Sequence, residues 1–284
     1  MNETPFRISR RSLAVAASLA GMVSLAIGAH AALNKRALEQ ARAVTTEQSA
    51  DAGKTASRVA LVIGNGHYPD ATAPLTQPIN DAHALTEALR RNGFDVDVVE
   101  DASRDDMVRA VERLKARVKP ESVVMLFFGG YGAQVGRESY MLPVDAAIWK
   151  ESDVRRAGVS VESVLAAMTA QGARAKLAVI DASRRNPYER RFRAFSHGLA
   201  PIGAPDNALI LTSATPGKVA DDADGQHSVL VSELLNNLNA QTAAAEAVFN
   251  KTRVAISKAT DGAQVPSVSS SLLEDVRFGA SAGS

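Results

Sequence analysis

The sequence predicts an α/β domain, with a mostly parallel central sheet of about six strands and helices on both faces. Short runs that are apolar at every position recur, as in Val59-Ala60-Leu61-Val62-Ile63 and Val123 to Phe128. A run of that kind is a strand buried on both faces. Segments with helical spacing alternate with these runs, and strand–helix–strand alternation makes neighbouring strands parallel. The runs also end in Gly64-Asn65-Gly66, Gly130-Tyr131-Gly132 and Asp181-Ala182-Ser183. Ligand sites of open parallel sheets lie at the carboxyl ends of the strands, so these three loops are expected on one edge.

The elements follow in order. Val59–Ile63 is the first strand. Ile79 to Asn92 carries Ala82, Leu85, Ala88 and Leu89 at helical spacing, and Gly93 closes the helix. Phe94 to Val99 alternates and reads as a strand. Arg104 to Val118 aligns Met107, Val108, Val111, Leu114 and Val118 on one helix face, stopped by Pro120. Val123–Phe128 is a buried strand, and Tyr140 to Val144 a short extended piece. Val161 to Ala170 is helical. Leu177–Ile180 and Ala208–Thr212 are two more buried strands. Val229–Leu238 and Ala244–Thr260 are helices, and Leu272–Phe278 is expected as a last strand.

At 284 residues the chain suits one domain with appendages, or at most two domains. A net charge of +1 gives no electrostatic footprint for nucleic acid. The chain has no cysteine, which excludes disulfides, thiolate metal sites and a cysteine nucleophile. Arg7, Arg10 and Arg11 precede an apolar stretch from Leu13 to Leu33 that holds Ala29-His30-Ala31, a small-x-small cleavage pattern. Residues 1–33 therefore read as an export signal, with Ser9-Arg10-Arg11-Ser12-Leu13 of twin-arginine type, or as a retained membrane anchor through residues 13–33. Either places the rest of the chain in the periplasm or on the outer side of the inner membrane. Residues 34–57 are rich in Ala, Gln, Thr, Glu and Lys and read as a linker, with a short helix conceivable over Ala37–Ala43. The folded domain is expected over 58–284.

Phe127-Phe128-Gly129-Gly130-Tyr131-Gly132 and Val179-Ile180-Asp181-Ala182-Ser183-Arg184 resemble the two catalytic segments of the caspase-like cysteine peptidases. Further resemblance to bacterial members runs through Ala60-Leu61-Val62-Ile63-Gly64-Asn65 with Tyr68, Pro78-Ile79-Asn80-Asp81-Ala82, and Tyr140-Met141-Leu142-Pro143-Val144-Asp145. Asn186-Pro187, Thr215-Pro216-Gly217 and His227-Ser228 also fit. The resemblance covers about Arg58 to Phe278 and implies a caspase-like sandwich. In that family the first segment ends Gly-His-Gly and the second reads Asp-Ala-Cys-Arg. Tyr131 stands here at the place of the histidine base, and Ser183 at the place of the cysteine nucleophile.

The resemblance implies that the N–H groups of Gly132 and Ser183 are the oxyanion-hole candidates. The reacting groups are a different matter. A serine hydroxyl is a poor nucleophile without a base, and a phenol of pKa about 10 is no base near neutral pH. The expectation is a pseudopeptidase that binds a peptide or protein partner or regulates an active relative. One alternative is a serine-type hydrolase using Ser183 with a relocated histidine, His67 first and His197 second; His30, His83 and His227 are the other histidines. Another is an interaction module with an unused cleft.

In relatives that cleave after Arg or Lys, acids at the positions of Asp81 and Asp181 line the specificity pocket. Two carboxylates suit a guanidinium, so the expected partner carries Arg or Lys. Taken alone, Asp81 also fits the start of a helix and Asp181 a loop-bonding strand end. Arg184, Arg185, Arg190, Arg191 and Arg193 form a basic stretch, read as a solvated loop or a processing site. Asp221, Asp222 and Asp224 lack the twelfth-position Glu of an EF-hand, and no metal or cofactor is expected.

Overall fold

The computed structural model describes residues 57–69, 75–184, 198–220, 225–238 and 243–279. The export segment, the linker before Ser57, the stretch Arg185 to Arg193, His197 and the Asp221, Asp222 and Asp224 loop lie outside the described residues.

In chain order the elements are β1 Arg58–Gly64, α1 Gln77–Arg91, β2 Asp95–Glu100, α2 Arg104–Arg117, β3 Val123–Gly129, β4 Gly132–Val135 and β5 Glu138–Met141. Then come α3 Glu151–Ala157, β6 Val159–Ser160, α4 Val161–Ala170, β7 Ala175–Asp181, β8 Ala208–Thr212, α5 Val229–Leu238, α6 Ala245–Ala259 and β9 Ser267–Ser270. The main sheet runs β2-β1-β3-β7-β8-β9, parallel except for the edge pair β8–β9. A second, antiparallel sheet holds β4-β5-β6.

Pleating divides each central strand between two cores. Ala60, Val62, Met125, Phe127, Leu177 and Val179 face one side, against Leu85 and Leu89 of α1, Leu234 of α5 and Phe249 of α6. Leu61, Ile63, Leu126, Phe128 and Ile180 face the other, against Met107 and Leu114 of α2 and Leu165 and Met168 of α4. Burial on both faces is why these strands are apolar at every position. The helix α2 starts at a reciprocal cap: Ser103 Oγ accepts from the Asp106 N–H at 3.2 Å, and Asp106 accepts from the Ser103 N–H at 3.3 Å.

Three expectations about elements need correction. The last strand is Ser267–Ser270, not Leu272–Phe278. Beyond Ser270 the chain leaves the sheet: Leu273 N–H bonds Asn207 Oδ1 at 3.1 Å, and Phe278 N–H bonds the Ala243 carbonyl at 3.1 Å. Val276 and Phe278 fill the core without pairing as a strand, apart from one bridge at Arg277. The extended piece near Tyr140 begins earlier, at Glu138, because it pairs with β4. The helix α1 starts at Gln77, two residues before the periodic stretch, with proline in its first positions. No helix among the described residues is long and apolar enough to cross a membrane.

Candidate functional site

The ends of β1, β3 and β7 meet at one edge, as the loop pattern predicts. Gly129 and Asp181 are register partners, and the Gly130 N–H reaches the Asp181 carbonyl at 3.2 Å. The loops beyond them touch. A Cβ on Gly132 would lie 3.0 Å from Ala182 Cβ and 2.7 Å from Leu199 Cδ2, so only glycine allows this approach. Gly64 is equally tight against α1, where a Cβ would lie 2.4 Å from the Pro78 carbonyl oxygen.

Tyr131 is buried in a third apolar cluster with Tyr68, Leu75, Val135, Tyr140, Leu142 and Ile148. Its ring meets that of Tyr68 edge-on, with centroids 4.9 Å apart. Its N–H donates to Tyr68 Oη at 3.0 Å, and the Tyr68 hydroxyl donates onward to the Leu142 carbonyl at 2.9 Å. The phenol ring is part of the packing of this cluster.

Ser183 is 1% exposed. Its N–H, expected as an oxyanion donor, already donates to Ser213 Oγ at 3.2 Å, and its carbonyl accepts from the Ala220 N–H at 2.6 Å. The expected pair of vacant donors is therefore incomplete, because Ser213, just past β8, lies directly beside Ser183.

The histidines among the described residues bond elsewhere. His67 Nδ1 lies 2.5 Å from Asp101 Oδ2, and the Gly66 and His67 N–H groups hold Asp101 Oδ1 at 2.8 and 2.9 Å. Burial raises the Asp101 carboxyl, but these bonds outweigh it and hold it below its usual range. Asp101 follows β2, three strand spacings from β7, roughly 14 Å. His83 bonds Glu100 at 2.5 Å. His227 Nδ1 bonds Asp81 Oδ1 at 2.9 Å. None of the three bonds Ser183.

Asp81 and Asp181 come together, as expected for a shared pocket. Asp81 is 1% exposed and sits on the core-facing stripe of α1, between Pro78 and Leu85. It is past the first turn, so the helix-start role does not apply. Its oxygens accept from the Ser228 N–H at 3.2 and 3.3 Å, beside the His227 bond. Burial first, and then the neighbouring Asp181, push the Asp81 carboxyl up to about 6 against the pull of the Ser228 and His227 bonds. Asp181 Oδ1 pairs with Arg184 Nη1 at 3.5 Å, while Asp181 Oδ2 is buried with no hydrogen-bond partner among the described residues.

Arg184 was expected in a solvated loop and is instead 6% exposed. Its Nη1 donates to the Gly130 carbonyl at 3.1 Å and to the Asp181 carbonyl, tying the two loops together. Sequence reasoning missed the parts played by His227, Ser228 and Ser213. The only prior sign was that His227-Ser228 fit the family pattern. Among the described residues, no three His, Asp or Glu side chains converge as a metal site would require.

The profile of the caspase domain matches residues 57–277. The chain belongs to the caspase-domain family. It is 32% identical over 100 residues to human mucosa-associated lymphoid tissue lymphoma translocation protein 1, covering 35% of this chain and 12% of that protein. The mouse homologue is 34% identical over 92 residues, covering 31% of this chain and 11% of its own length. Among solved structures, caspase-1 of Spodoptera frugiperda superposes with a TM-score of 0.60 at 14% identity, over 81% of this chain and 94% of that one. That likeness establishes the shared fold: a caspase-like α/β sandwich on a six-stranded sheet.

Proposed function

We propose that this caspase-like domain is a pseudopeptidase that binds an Arg- or Lys-bearing segment of a peptide or protein partner and does not cleave it. Tyr131 and Ser183 occupy the positions of the family's base and nucleophile. The observation that carries this reading is the state of Ser183. It is buried, its N–H is held by Ser213, and no histidine among the described residues bonds it. A hydroxyl nucleophile needs both access and a base. Removing reacting groups typically leaves only about 10³–10⁴-fold over water, far below a working peptidase. The acids that would receive a cation, Asp81 and Asp181, are nonetheless present, buried and adjacent. Residues 13–33 would deliver the domain to the periplasm or tether it to the outer side of the inner membrane.

The test pairs turnover with binding. The purified chain and its Ser183→Ala variant are incubated with a mixed peptide library, with and without calcium. Neither should cleave, and both should retain arginine-containing peptides. Cleavage by the parent that disappears in the variant would instead make the chain a serine hydrolase. Retention of arginine peptides by an Asp81→Asn/Asp181→Asn double variant would remove the pocket.

A further inference from the structure

The two buried acids Asp81 and Asp181 are held from two sides by the chain's own basic groups, and the two holds differ. Arg184 is buried and bound to two carbonyls as well as to Asp181 Oδ1. The His227 side chain keeps 31% of its surface in solvent and reaches Asp81 through its ring nitrogen. The loop that carries it is fastened by backbone: Asn80 Nδ2 donates to the Gln226 carbonyl at 3.1 Å, and Ser228 N–H donates to Asp81. The imidazole can therefore swing out while its loop stays in place. Beside Asp81, Asp181 Oδ2 has no donor among the described residues. A buried acceptor with no donor is unfavourable, and a guanidinium brings five N–H donors and a charge that does not titrate.

We propose that His227 is the displaceable stopper of this pocket: its ring holds the place of a ligand cation on Asp81, and an arginine side chain enters by taking that place and bonding the vacant oxygen of Asp181. This rests on the cation-pocket reading above and adds to it a gate and a pH dependence. Among the described residues, the titratable groups that act on Asp81 are Asp181 at the end of β7, itself paired with Arg184, and His227 in the loop before α5. The ends of β1 and β3 bring only glycines, Gly64, Gly129 and Gly130, and His83 on α1 is turned to Glu100. Protonating Asp81 removes charge that the ligand needs, so binding weakens as pH falls.

The experiment is fluorescence anisotropy on the full chain, from pH 8 to pH 5. The probes are a labelled tetrapeptide amide with one arginine, its neutral citrulline twin and its lysine counterpart. Arginine should be preferred to citrulline, with affinity about tenfold lower at pH 5 than at pH 8. His227→Ala should bind about tenfold tighter at pH 8, since a charge-assisted bond no longer competes. His227→Asn, whose amide nitrogen can stand where Nδ1 stood, should return to the parent affinity. If His227→Ala binds no tighter while Asp81→Asn abolishes binding, the stopper is wrong and the pocket stands. The stopper also fails if Asn binds as tightly as Ala. If neither parent nor His227→Ala, both folded by circular dichroism, prefers arginine to citrulline at any pH, the pocket itself is wrong.

Discussion

The two halves of the site have settled in opposite ways. Around Tyr131 and Ser183 the groups are satisfied: the phenol ring is packed against Tyr68, and the serine N–H and carbonyl both have partners. Around Asp81 and Asp181, two acids are buried close together and one carboxylate oxygen has no donor among the described residues. The first half resembles ordinary core. The second carries a standing electrostatic cost, and stability gained by removing such a cost is a familiar sign of a site kept for binding. The contrast gives packing to one half and leaves the other as the place proposed for recognition.

The largest expected effect tests the packed half. Tyr131→Ala should destabilise the domain by about 3–5 kcal/mol, as for other buried aromatic truncations, measured by urea unfolding. A loss below about 1 kcal/mol, the range of surface substitutions, would mean that the ring lies loosely in an open cleft. Next, Arg184→Met leaves Asp181 buried without its counterion and should cost about 3–5 kcal/mol. The double variant with Asp181→Asn should lose less than the single one. Equal losses would show that Arg184 acts through its two carbonyl bonds and not through the pair.

The smallest effect has the opposite sign. The Asp81 carboxyl is held up to about 6 in the folded chain, above its ordinary 3.8. The folded state therefore binds that proton more tightly than the unfolded one. Ionisation costs stability as pH rises through this window, and the cost is complete above pH 6. Asp81→Asn should raise stability by roughly 1–3 kcal/mol at pH 8, with the gain vanishing toward pH 4. A gain that is independent of pH would mean the cost lies in packing and not in charge.

Much of the scaffold was legible because its signals are local. The helix α2 has its cap, its apolar stripe and Pro120 in one stretch of sequence, and α4, α5 and β8 match their predicted bounds. Reading failed where structure depends on a distant partner. Strand β9 is Ser-Val-Ser-Ser, with no apolar run, and exists because β8 offers it an edge. The following Leu272–Phe278 looked more strand-like, yet Leu273 is 84% exposed. Helix α3 and strands β4 and β6 are too short to show a period. In the site, Asp81 and Asp181 were found through family resemblance, and the periodicity of α1 already placed Asp81 on the buried face beside Ala82 and Leu85. The His227–Asp81 bond joins residues 146 positions apart, and no local pattern announces it. Arg184 was misread for the same reason: a run of arginines looks solvated until a neighbouring loop supplies carbonyls.

The Tyr68 hydroxyl stands at the meeting point of three chain segments, accepting from Tyr131 and donating to Leu142. The amide proton of Tyr131 can therefore trade with deuterium only when those segments part. Its exchange rate becomes a built-in clock for the separation of the small sheet from the large one. Tyr68→Phe should speed that clock at Tyr131 while leaving the amides of the central strands at their slow, globally limited pace, as hydrogen-exchange mass spectrometry would record.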